Sequence, residues 1–109
     1  MGRIQSTRIT GNDTNVQATS HSPCVYNGFI LTPTGALGAA PTRTISVYAD
    51  NTGTGTTNLI ARYVVDTGIL ATDSKEYHYT DGILCRNGLR IECDDWTGIE
   101  MFVLHSWGV

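Results

Sequence analysis

The chain has 109 residues, of which 40% are hydrophobic and only 16% are charged, and its formal net charge is −3. This length fits one domain, and no apolar run reaches the length that spans a bilayer. The net negative charge argues against nucleic acid as the main partner, because a protein that binds phosphates concentrates cations. We therefore expect one small domain that binds neither a membrane nor nucleic acid.

The first 23 residues are polar, with few apolar anchors and no sustained strand or helix period. We interpret residues 1–23 as an extended N-terminal arm with a short strand at Arg3–Thr10, and no signal peptide is recognisable in it. Three arginines and one aspartate give residues 1–45 a net charge of +2, whereas four cations and nine carboxylates give the remainder −5. A basic arm on an acidic body suits contacts between protein subunits.

Short apolar runs separated by Gly, Thr and Pro occupy residues 24–109, which we assign to one domain. Their patterns predict strands at Cys24–Thr32, Thr42–Asp50, Leu59–Asp66, Ile69–Thr72, Glu76–Thr80 and Ile99–Trp107. Gly28 indicates a bulge or a close backbone approach within the first of these strands. The sequence therefore predicts an all-β, jelly-roll-like antiparallel β-sandwich of about seven or eight short strands, with the arm in front.

The strongest local pattern is GILCRNGLRIEC, residues 82–93. Asn87-Gly88 between two alternating runs is typical of a β-hairpin. A three-residue loop places Cys85 opposite Leu89, which sets apolar residues against each other and leaves the glycine in a bulge. The same hairpin brings Cys85 towards Cys93.

Residues for catalysis or metal binding are scattered. The candidates are Cys24, Cys85, Cys93, His21, His78 and His105. Each cysteine lies in an apolar strand run, where cysteine behaves as a small hydrophobic residue, and no metal-ligand spacing is present. An odd cysteine count without a signal peptide predicts free thiols in a reducing cytoplasm. We therefore expect no enzyme activity, no catalytic residue, no metal and no cofactor.

Both ends of the chain carry residues that suit an interface. The arm can add a strand to a neighbour's sheet edge, and its arginines can pair with carboxylates. Near the other end, a tryptophan is a residue type that interfaces favour. The candidate interface residues are Arg3, Ile4, Arg8, Ile9, Trp107 and Val109.

Three segments resemble small virion proteins of tailed bacteriophages. TRTISVYADNTGTGTTNLIA is similar to their strand–turn–strand, GILCRNGLRIEC to their Asn-Gly-Leu hairpin and MFVLHSW to their final strand. The resemblance covers a little over half of the chain. It implies a β-sandwich that serves as a capsid decoration (cement) protein or another minor virion component.

Together, the arm and the resemblance favour a structural virion protein of a tailed bacteriophage. It would be made in the host cytoplasm, bind the outer capsid surface and staple neighbouring major capsid subunits, as a homotrimer or homodimer. One alternative is a tail, connector or head-fibre component that binds other virion subunits. The other is a carbohydrate-binding adhesin domain that uses Tyr48, Tyr77 or Tyr79.

Overall fold

Two antiparallel sheets packed face to face form the fold in the computed structural model. The structure describes residues 3–12, 23–50 and 55–107, and for Trp107 it describes only the backbone. The elements are β1 (Gln5–Ile9), β2 (Cys24–Pro33), β3 (Thr42–Tyr48), β4 (Leu59–Asp66), α1 (Thr67–Leu70), β5 (Lys75–Cys85), β6 (Arg90–Cys93) and β7 (Ile99–Trp107). The predicted all-β sandwich is confirmed.

The strand order is that of a jelly roll. The four-stranded sheet runs β1-β7-β2-β5, and the three-stranded sheet runs β4-β3-β6. An eight-stranded jelly roll places its first, eighth, third and sixth strands in one sheet and its second, seventh, fourth and fifth in the other. The described strands follow this order, and only the place of the second strand, beside β6, is not taken by a strand of the described residues.

Apolar side chains from the inner faces of both sheets form one core. Because strand side chains alternate between faces, every second residue of the central strands points inward. The fully buried core residues include Phe29, Leu31, Ile45, Val47, Leu89, Ile91, Met101 and Val103. At one side of the sandwich, Tyr63 of β4 meets Phe29 of β2 edge-on, with ring centroids 4.9 Å apart. This aromatic contact joins the two sheets.

The predicted hairpin over residues 82–93 is wrong. Cys85 ends β5 and lies opposite Cys24 of β2, whereas Arg90 begins β6, which pairs with β3 in the other sheet. Residues 86–89 cross from the four-stranded to the three-stranded sheet, and Leu89 is completely buried between the two sheets. The same turn residues serve a crossing as well as a hairpin, so the local pattern could not distinguish the two.

The strand predicted at Ile69–Thr72 is also wrong, because the chain forms the short helix α1 there. The Asp66 carboxylate caps this helix and accepts a hydrogen bond from the Gly68 backbone N–H at 2.7 Å. An aspartate at this position satisfies a backbone donor that would otherwise lack a partner. The strand predicted at Glu76–Thr80 is present and belongs to the longer β5.

The arm segment contributes an edge strand to the chain's own sheet. The short strand predicted at Arg3–Thr10 is confirmed as β1, which pairs with β7 from Gln5 opposite His105 to Ile9 opposite Met101. Asn12 then reaches the three-stranded sheet, where its side-chain oxygen accepts a hydrogen bond from the Cys93 backbone N–H at 3.0 Å. Residues 13–22 of the predicted arm lie outside the described residues.

A bulge interrupts the pairing of β2 with β5, as Gly28 indicated. Asn27 alone faces residues 79–82 of β5, and its Nδ2 donates to the Tyr79 carbonyl at 2.9 Å. Gly28 has a φ of 111°, and a Cβ added there would lie 1.9 Å from the Tyr77 carbonyl oxygen. Only glycine fits this close approach.

Candidate interaction surface

The outer face of the four-stranded sheet is apolar across its central strands. The side chains that alternate with the buried core positions point outward, and several of them on β2 and β7 are apolar. Asn27 and Ser106, which lie among them, are buried polar residues, and the Ser106 hydroxyl donates to Asn27 Oδ1 at 2.9 Å. We call the set Val25, Ile30, Leu84, Phe102 and Leu104 the apolar face. Phe102 lies opposite Ile30, and Val25 lies opposite both Leu84 and Ser106. Four of the five are half-buried and Leu84 is exposed, so this apolar area meets solvent.

Charged residues flank the apolar face on both sides. Arg8 of the edge strand β1 lies opposite Phe102, and its Nε donates to Glu100 Oε2 at 2.7 Å. On the other edge, Glu76 lies opposite Ile30 and contacts the His78 ring nitrogen at 2.8 Å. An apolar centre with a polar rim is the usual anatomy of a protein–protein interface.

The outer face of the three-stranded sheet has the opposite character. The Arg90 guanidinium lies 3.6 Å from the Tyr48 ring centroid, and its Nε donates to Asp50 Oδ1 at 2.9 Å. Its other nitrogens donate to the Glu92 carboxylate and the Gly55 carbonyl. Both members of the Arg90–Asp50 pair are almost fully buried, so the chain's own residues cover this part of the face.

The predicted interface residues near the start of the chain separate into two groups. Arg3, Ile4 and Arg8 are exposed, and Arg8 lies on the same side of β1 as the apolar face, opposite Phe102. Ile9 points the other way and is only 6% exposed, because it packs in the chain's own core. The structure therefore joins Arg8 to the apolar face, leaves Ile4 exposed just before β1, and removes Ile9 from the candidate surface.

The predicted interface residues near the end of the chain are described only in part. The backbone of Trp107 lies in β7 opposite Cys24, and its side chain is outside the described residues, as is Val109. The sequence analysis missed Phe102 and Leu104 in the same strand. The signal for both was the run of four apolar residues at positions 101–104, in which the outward as well as the inward side chains are apolar.

The tyrosines considered for carbohydrate binding lie in different surroundings. Tyr48 is buried beneath Arg90, and Tyr77 is half-buried against Tyr63, with ring centroids 4.5 Å apart. Tyr79 is 39% exposed, and its hydroxyl lies 3.0 Å from that of Tyr63. Burial is the main reason that the pKa values of Tyr63 and Tyr77 are raised. These rings do not form one exposed stacking platform.

The side chains considered for catalysis occupy structural positions. All three cysteines are buried and carry free thiols. His105 is buried, with Nε2 2.8 Å from the Thr7 hydroxyl, whereas His21 lies outside the described residues. The described part of the chain holds no cluster of three or more His, Cys, Asp or Glu suited to a metal ion. Among the same residues, no helix is long and apolar enough to cross a membrane.

A second buried arginine fixes two surface loops together. Arg43 of β3 is fully buried, and its Nη1 donates to the carbonyls of Asp95 at 2.7 Å and Thr97 at 3.0 Å. Its Nη2 donates to the carbonyl of Leu37. The pKa of Asp95 is lowered mainly by hydrogen bonds from Thr97. These contacts hold the uncharged loop of residues 34–41 against the turn before β7.

Jelly rolls occur in viral capsid proteins, lectins and cupins, so the fold leaves the function open. Comparisons of the chain with protein families, curated proteins and solved structures find no match. The function therefore has to be inferred from the surface that this chain presents.

Proposed function

We propose that this chain is a structural virion protein of the capsid-decoration type, which binds the outer shell of a tailed bacteriophage through its apolar face. The observation that carries the proposal is this face itself, whose five apolar side chains keep contact with solvent in the described part of the chain. Exposed contiguous apolar surface on a small domain marks an interaction site. The resemblance of residues 42–104 to small virion proteins supports the choice of partner.

Phe102 is the expected anchor of the interface. It lies in the second strand of the sheet, between Arg8 on β1 and Ile30 on β2. Aromatic residues near the centre of an interface contribute most of the binding energy, and the polar rim excludes water and fixes orientation. Arg8 and Glu100 supply that rim on one side.

The edge of β1 offers a second contact of the kind expected for the arm. Since β1 is the outermost strand of its sheet, a neighbouring subunit can add a strand beside it. Deleting residues 1–20 would also remove Ile9 from the core, so a loss of binding after this deletion would not distinguish unfolding from a lost contact. Point substitutions on the apolar face give a cleaner test.

The test compares one substitution on each outer face. Phe102→Glu places a charge on the apolar face, and Val64→Glu places the same charge at a 66% exposed position of β4 on the other face. Each variant is sedimented with capsids of the encoding phage that lack this protein. We expect Phe102→Glu to weaken binding by at least about tenfold and Val64→Glu to leave it unchanged, because a central aromatic contributes about 2 kcal/mol or more.

Two outcomes would contradict the proposal. Equal binding by Phe102→Glu and wild type would exclude the apolar face as the contact, provided that both have similar melting temperatures. A wild-type chain that binds no capsid would exclude the decoration role. Copy number per particle then separates the shell from the tail axis, because about twelve copies or fewer fit the symmetry of a tail or connector and hundreds fit a shell.

A further inference from the structure

Two of the three cysteines face each other across neighbouring strands. Cys24 is the first residue of β2, Cys85 is the last residue of β5, and the two are direct register partners in the antiparallel pair. Both side chains are fully buried in the core cluster. The sequence analysis had placed Cys85 near Cys93 instead, and the crossing between the sheets removes that possibility.

We propose that Cys24 and Cys85 form a redox-active dithiol, which closes into a cross-strand disulfide when the protein meets a small-molecule disulfide such as oxidised glutathione. This chemistry does not depend on what the apolar face binds. Its structural consequence is a covalent link between the start of β2 and the end of the edge strand β5.

The geometry of the pair is close to that of a disulfide. Directly opposed residues of an antiparallel pair have Cβ atoms about 4.5–5.5 Å apart, and a disulfide needs about 3.5–4.5 Å. The Cys85 sulfur donates a hydrogen bond to the Ile83 carbonyl at 3.5 Å, and the two thiols lie close enough to shift each other's pKa. Both residues lie at strand ends, where a small backbone adjustment disrupts few ladder hydrogen bonds.

The two thiols are chemically unequal. The hydrogen bond with Cys85 is the main cause that raises the pKa of the Cys24 thiol, and burial acts in the same direction. The same hydrogen bond is the main cause that lowers the pKa of Cys85, and burial opposes it. Cys85 ends the edge strand β5, whereas Cys24 lies in the inner strand β2. Since the thiolate is the attacking species, we expect Cys85, at the sheet edge and with the lowered pKa, to react first and Cys24 to resolve.

The thiol–disulfide exchange needs no reagent other than oxidised glutathione. The Cys85 thiolate attacks one sulfur of oxidised glutathione, the glutathione S–S bond breaks, and one glutathione leaves as a thiolate. Cys24 then releases its proton to solvent and attacks the Cys85 sulfur, which breaks the mixed disulfide and releases the second glutathione. Two protein thiols are oxidised, and one glutathione disulfide is reduced to two thiols.

Cys93 provides the internal contrast. It lies in β6 of the other sheet, opposite Ile45, and its sulfur donates to the Asp95 carbonyl at 3.4 Å. Its pKa is raised mainly by burial. Cys93 should therefore stay reduced when the other two cysteines are oxidised.

The experiment counts thiols and maps the linkage. The reduced full chain is treated with oxidised glutathione in the folded state, and a second sample is refolded from denaturant in the same oxidant, so that slow access to buried thiols cannot hide the reaction. Free thiols are alkylated, and linked peptides are identified by mass spectrometry. Wild type and C93S should both form the Cys24–Cys85 linkage, and C24S and C85S should form no intramolecular disulfide.

Oxidation should raise the melting temperature of wild type by on the order of 10 °C, because the link closes a long loop of the unfolded chain. C93S should show the same rise. The inference is overturned if Cys24 and Cys85 both remain free after oxidative refolding, if Cys85 links to Cys93, or if the linked protein melts below the reduced one.

Discussion

The two outer faces of the sandwich differ in how their side chains are covered. On the three-stranded sheet, Arg90 and Asp50 form a buried ion pair, and the Gly55 carbonyl, in the segment before β4, accepts a hydrogen bond from Arg90. On the four-stranded sheet, the apolar side chains of Phe102 and Ile30 are half-buried and keep contact with solvent. Around Arg90 the first face is covered by the chain's own residues, whereas the second is the face that we propose as the contact for another protein. The inner faces are alike, so the distinction between the sheets comes from what their outer residues contact.

The ion pairs of the two faces show the same difference. In the Arg90–Asp50 pair the side chains are 1% and 5% exposed, whereas in the Arg8–Glu100 pair they are 59% and 16% exposed. A buried pair is costly to break because one charge stays desolvated, and an exposed pair contributes little to stability. We therefore expect the first pair to maintain the fold and the second to act in binding.

The largest effect is expected for Asp50→Ala. It removes the carboxylate that accepts from Arg90 Nε while the guanidinium stays buried, and breaking such a pair costs about 3–5 kcal/mol. Urea denaturation measures the loss. The control is Glu92→Gln, whose half-buried carboxylate contacts the same guanidinium and should cost below about 1 kcal/mol. Equal losses of stability for the two variants would mean that the Arg90–Asp50 pair contributes no more than an exposed ion pair, which would contradict the contrast between the two outer faces.

A smaller effect is expected for Gly28→Ala in β2, beside the apolar face. The new Cβ would overlap the Tyr77 carbonyl, and the positive φ adds strain, so we expect a loss of about 3 kcal/mol in the free energy of unfolding. Gly11→Ala is the matched control, because no atom of the described residues lies within 4 Å of its added Cβ, and it should change stability by less than about 0.5 kcal/mol. A Gly28→Ala variant as stable as Gly11→Ala would rule out the bulge that shapes this face.

The smallest effect on stability is expected for Arg8→Gln, which breaks the exposed pair with Glu100. The free energy of unfolding should fall by less than about 0.5 kcal/mol, whereas association with the capsid should slow and lose part of its salt dependence. Arg62→Gln, at an exposed position of β4 on the other face, should change neither quantity. Stopped-flow association at several salt concentrations makes the comparison, and equal effects of both arginines would argue against a contact specific to the apolar face.

The sequence by itself determined the all-β class, most strands and the inward side of β3 and β7. In Thr42–Tyr48 the alternation of Ile45 and Val47 identifies the buried side, because the strand period is a local property. Gly28 was also recognisable from the sequence, because a glycine inside a strand, which has no side chain, marks a bulge or a close approach of another backbone segment. The apolar residues around Phe102 were also visible in the sequence, but we used them only to predict a strand at Ile99–Trp107.

Only the tertiary structure decided which strands share a sheet. Cys85 pairs with Cys24 rather than continuing into a hairpin, because burying Leu89 between the sheets requires the chain to cross there. Turn residues specify a local reversal and not the partner of the strand that follows. The buried arginines were equally hidden, because the groups that stabilise Arg43 and Arg90 lie on segments distant in the sequence. The outer faces of the two sheets differ partly because Asp50 and Gly55 reach Arg90 from a distant segment, and a local pattern cannot contain those contacts.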